Sequence, residues 1–113
     1  MEHVEREVEL PQEPSTVWEA VADPALLGLW LGGELELDGG VHRGTRGTFD
    51  TPTERRLVYV RDVDEGERLV FNWRPVLSPL EMTTVTISVV PSPAGGTIVR
   101  ITERRPTRAM ALA

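Results

Sequence analysis

Over the first ten residues Val4, Arg6, Val8 and Leu10 alternate with Glu5, Glu7 and Glu9. A period of two residues predicts a half-buried strand with an acidic solvated face, and it places Arg6 on the apolar side. The period changes in "PSTVWEAVA". Pro14 suits a first helical position, where its missing N–H would have no partner in any case. Val17, Trp18 and Val21 then share one helical face. Asp23-Pro24 ends this helix and opens a second, with Asp23 as N-cap and Pro24 as first residue. Leu26, Leu27, Trp30 and Leu31 are expected to form its buried side, with Trp18 and Trp30 both packed inward, and Gly32-Gly33 closes it.

Strands and turns occupy the chain from there to Glu103. "ELELD" and "TRGTFD" flank the loop "GGVHRG", "RRLVYVRDV" runs to a turn at Asp64-Glu65-Gly66, and "RLVFNWR" aligns Leu69, Phe71 and Trp73. "TTVTISVV" and "TIVRITE" place Val85, Ile87, Val89, Val99 and Ile101 on the same side, separated by the breaker-rich "PSPAGG". Short connections between alternating strands predict an antiparallel meander. The expected order is one strand, two short helices and about six further strands, making one α+β domain over residues 1–113.

Composition narrows the function. Hydrophobic residues make up 40% and charged residues 27% of the 113, ordinary values for a globular chain. The net charge is −6, which argues against nucleic acid as a partner, since a phosphate backbone attracts basic surfaces. There is no cysteine, hence no disulfide framework or thiolate chemistry. No apolar run approaches the roughly 20 residues of a membrane span, and the acidic start does not read as a signal peptide, so a cytoplasmic location without membrane insertion is expected.

"VEREVELPQEPSTVWEAVADPALLGLWLGG", "GERLVFNW" and "VTISVVPSPAGGTIVRIT" together resemble the START-like (SRPBCC) superfamily, in the branch related to activators of heat-shock protein 90 ATPase. The resemblance rests on Val17-Trp18, Asp23-Pro24 and Trp30 in order, and covers roughly residues 2 to 104. It implies a helix-grip fold, a curved antiparallel sheet around a C-terminal helix with a cavity between them. It also implies a chaperone partner in a stress-response setting as an alternative role. Pro106 to Ala113 would supply only about 12 Å of that helix, so this segment is expected to be a truncated or incomplete copy of it.

Candidate chemistry is sparse. His3 and His42 are far apart without spaced acidic partners, so no metal site can be assembled. "GGVHRGTRG" lacks the Lys-Ser/Thr of a phosphate loop, and neither Ser15 nor Ser78 has a neighbouring base. No cofactor and no catalytic residue are expected. The aromatic and aliphatic positions of the inner face, Trp30, Phe49, Tyr59, Phe71, Trp73, Val85, Ile87 and Val99, are the candidate lining of an apolar ligand site. A charge facing an apolar cavity is costly unless paired, so Arg6 is expected to pair with a buried carboxylate, to reach water near the strand start, or to be the candidate anchor for an anionic ligand group. The expected function is a non-catalytic domain binding a small hydrophobic or amphipathic molecule. A protein-interaction module is the alternative, and a cyclase- or hydrolase-like enzyme ranks last. An apolar sheet face left uncovered would exceed what monomers tolerate. A homodimer through that face or through Thr107–Ala113 is therefore expected.

Overall fold

Residues 3–105 are described by the computed structural model, and they form seven strands and two helices. In chain order these are β1 (His3–Leu10), α1 (Pro14–Val21), α2 (Pro24–Leu31), β2 (Glu34–Leu37) and β3 (Arg46–Asp50). They continue with β4 (Arg55–Asp64), β5 (Arg68–Pro75), β6 (Thr83–Pro91) and β7 (Thr97–Arg104). All seven strands lie in one antiparallel sheet of order β1-β7-β6-β5-β4-β3-β2. The meander from β2 to β7 is the one predicted, and β1 closes the far edge by pairing along its whole length with β7. The expected helical segment from Pro106 to Ala113 lies outside the described residues.

Register decides which side chains share a face. Leu69 opposes Ile87, which opposes Ile101, and Phe71 opposes Val85. Leu69, Phe71, Val85, Ile87, Val89 and Val99 are all buried to 3% exposure or less, as the alternation predicted. The two helices pack on this inner face, where Val17, Trp18, Val21 and Leu27 join the core. Fully burying one such aliphatic side chain contributes about 1.5–3 kcal/mol. A bulge between Val60 and Asp62 shifts the register of β4 on β5.

The helix caps form as read. Asp23 accepts a hydrogen bond from the Ala25 N–H at 2.9 Å, and Gly32 ends α2 in the left-handed region at φ 93°. The buried side of α2, however, is not the one expected. Leu27 and Gly28 are buried, whereas Leu26 and Trp30 are 45% and 43% exposed. The reason is Gly28: a Cβ there would sit 2.9 Å from both Gly33 O and Leu35 N. The helix rests on β2 through its glycine, so the inward stripe is Pro24, Leu27, Gly28 and Leu31, Leu26 turns outward, and Trp30 stays half-exposed at the rim of the inner face. Backbone approach, not side-chain volume, sets the rotation of this helix.

Candidate functional site

Four adjacent strands bring a polar cluster to one end of the inner face. Trp73 on β5 lies opposite Thr83 on β6, and Glu103 on β7 lies opposite Val85. The Trp73 indole N–H donates to Glu103 Oε2 at 2.9 Å and to Thr83 Oγ1 at 3.0 Å. The Thr83 hydroxyl donates to the same carboxylate oxygen at 2.6 Å. Arg56 on β4 sets its guanidinium 4.6 Å from the centre of the Trp73 ring. Its Nε donates to Glu54 at 2.5 Å, and its Nη1 stands 3.8 Å from Glu103 Oε2. Phe49 and Phe71 flank the indole at 5.0 and 5.2 Å between ring centres, the second edge-on. A tryptophan held by stacking, a cation and a hydrogen bond is fixed in one rotamer, and such contacts stabilise beyond area burial alone.

Beside this cluster runs a groove of about 160 Å³, lined by Val4, Arg6, Trp30, Leu31, Trp73, Val85, Ile101 and Glu103. One wall is apolar, and Glu103 and Arg6 put opposite charges on its two sides. Arg6 is exposed and makes no ion pair among the described residues. It therefore reaches water along the edge strand, not a buried carboxylate. The groove residues include no nucleophile beside a base. Among the described residues no three His, Asp or Glu side chains converge as metal ligands.

The candidate residues from the sequence divide three ways. Arg6, Trp30, Trp73 and Val85 meet at the groove. Phe49, Phe71, Ile87 and Val99 are core, at 3%, 2%, 0% and 1% exposure, and the two phenylalanines pack against Trp73. Tyr59 is a correction: it is 40% exposed on the opposite face, because Val58 and Val60 take the inward positions of β4. Arg56, Thr83 and Glu103 were not among the candidate residues. Their signal was the one that singled out Arg6, a polar residue at an inward position of a strand. Arg56 shares parity with Val58, Thr83 with Val85 and Glu103 with Ile101.

A family model for the Activator of Hsp90 ATPase homolog 1-like protein matches residues 12–112. No curated protein matches the chain. The solved structure of protein MLL2253 from Mesorhizobium loti superposes with a TM-score of 0.77 at 22% identity, over 95% of this chain and 79% of that one. The Aha1 dimer from Colwellia psychrerythraea gives 0.74 at 16% identity, over 99% and 84%. DynU16, a protein of the dynemicin biosynthetic locus, gives 0.75 at 23% identity over 96% of this chain, which spans only 39% of DynU16. At these identities the likeness carries the fold: a helix-grip sheet with its helices on one face.

Proposed function

The chain belongs to the Activator of Hsp90 ATPase homolog 1-like protein family, and from that premise we propose that it is a binding domain for a small amphipathic molecule. The observation that supports this is the juxtaposition at the inner face. An apolar wall of Trp30, Leu31, Val85 and Ile101 meets a fixed acceptor, Glu103, and a solvent-reaching cation, Arg6. A ligand of this class lays its apolar part on Trp73 and Ile101. Its hydroxyl or amine donates to Glu103, or its carboxylate meets Arg6. Trp73 and Thr83 hold the carboxylate of Glu103 in place before the ligand arrives, which reduces the ordering cost of binding. Such sites hold apolar molecules with few polar anchors.

Native mass spectrometry of the purified protein tests the proposal. A small molecule carried through purification at defined mass, and lost in Ile101→Arg, is the expected result. A second reading uses the same family and the solved Aha1 dimer: the inner face and its rim meet another copy or a chaperone instead of a ligand. A dimer in light scattering with no bound small molecule would favour that reading and overturn the first.

A further inference from the structure

The outer face of the sheet carries a second groove, of about 390 Å³, away from the helices. Its floor is Leu57 and Tyr59 of β4, 37% and 40% exposed. Arg46 and Arg74 stand on either side, from the neighbouring strands β3 and β5. Arg46 pairs across the strands with Tyr59, its guanidinium 5.7 Å from the ring centre, and Arg74 pairs with Leu57. The connection that leaves β5 one residue after Arg74 exposes Val76 at 43%, Leu77 at 95% and Leu80 at 96%. The groove floor thus presents two large apolar side chains to water, and the loop that follows Arg74 in the chain presents three more.

The corner offers two cations on either side of an apolar floor. The chain carries 18 acidic and 12 basic residues, yet Arg46 and Arg74 make no ion pair among the described residues. Asp50, at the far end of β3, is held by Arg55 at 2.7 Å, and Asp38, whose N–H donates to the Arg46 carbonyl at 2.9 Å, forms no ion pair with Arg46 among the described residues. Two unmatched guanidinium groups flank an aromatic floor and adjoin exposed leucines, and arginine and aromatic residues are the types enriched where proteins meet. Contiguous apolar surface rimmed by polar groups marks an interaction site.

We propose that this corner docks an acidic segment of a partner protein. Carboxylates of the segment meet Arg46 and Arg74, and its apolar side chains rest on Tyr59, Leu57 and the Leu77–Leu80 loop. Planar guanidinium groups suit carboxylates because they donate two parallel hydrogen bonds. This site stands on the opposite face from the proposed ligand groove and does not depend on it.

The probe is a short fluorescent peptide in which aspartates alternate with leucine and phenylalanine, read by anisotropy against the full chain. It is expected to bind, and more weakly as salt rises. Arg46→Gln with Arg74→Gln should weaken binding about tenfold, and so should Leu77→Ser with Leu80→Ser. Arg100→Gln, which removes one positive charge elsewhere on the outer face, should leave it unchanged, and each of Arg46→Gln and Arg74→Gln alone should weaken it. Melting curves check that each variant folds, and the two leucine changes on an exposed loop serve if the arginine changes do not fold. No binding, equal binding by all variants, or preference for the lysine counterpart of the peptide overturns the proposal. It is also overturned if the parent sediments with phosphatidylglycerol vesicles that the peptide does not displace. Arg74-dependent dimerisation in light scattering would assign the corner to a second copy and overturn it as well.

Discussion

Among single residues, Trp18 shows how a polar atom and an apolar body in one side chain are separable. Trp18 is 6% exposed in the core, and its ring N–H has no hydrogen-bond partner among the described residues. Removing the whole side chain opens a cavity, so Trp18→Ala is expected to lose about 3–5 kcal/mol. Trp18→Phe also removes a buried donor whose desolvation is uncompensated, which offsets part of the lost volume, and it should fall within about 1.5 kcal/mol of the parent. Chemical denaturation of the two variants measures both. A Trp18→Phe loss as large as that of alanine would mean the N–H has an acceptor after all. Trp73, by contrast, spends its N–H on Glu103 and Thr83. Both tryptophans were legible as inward from spacing alone. What each N–H meets was not, because the partners of Trp73 lie 10 and 30 residues away in sequence.

Among the elements, α2 shows how backbone contact sets the rotation of a helix. Leu26 and Trp30 have the composition of a buried stripe, but Gly28 and the backbone of Gly33 and Leu35 decide how α2 sits. A glycine carries no hydrophobic signal, so the pattern could not reveal it. Gly28→Ala would raise intrinsic helix propensity by about 1 kcal/mol. Its Cβ would nevertheless meet backbone atoms that cannot rotate away, and overpacking of this kind typically costs about 1–3 kcal/mol. A lowered melting temperature is expected despite the better helix former, and an unchanged or raised one would show that α2 can lift off β2.

The β3–β4 hairpin adds a pH dependence with a definite sign. The hydrogen bond from Arg55, with its charge, holds the Asp50 carboxyl below its ordinary value of 3.8, against a smaller opposing effect of burial. A carboxyl whose folded value is depressed adds stability above its unfolded value and loses it as pH falls through the folded one. The stability difference between parent and Asp50→Asn should therefore shrink on acidification below the carboxylate range. The pair is exposed, so the effect is small and screened by salt. Melting curves across that range, at low and high salt, read it.

On the scale of the molecule, alternation with turn signals was enough to read an antiparallel meander, since each strand from β2 to β7 pairs with its sequence neighbour. The partner of β1 was not readable, because no local pattern says which distant strand will meet it. That pairing sets Val4 opposite Glu103 and Arg6 opposite Ile101, and so assembles the groove from the two ends of the described chain. It also sets an order of events in time. Each hairpin of the meander closes a short loop, whereas joining β1 to β7 closes the whole stretch from Leu10 to Thr97 at a larger entropic cost. Contacts of such separation form slowly. On the ribosome, where about 5–20 residues emerge per second, β1 emerges before β7 and is expected to stay unpaired until β7 has been made. Its row of glutamates then serves a second purpose. It keeps a waiting strand soluble until its partner arrives.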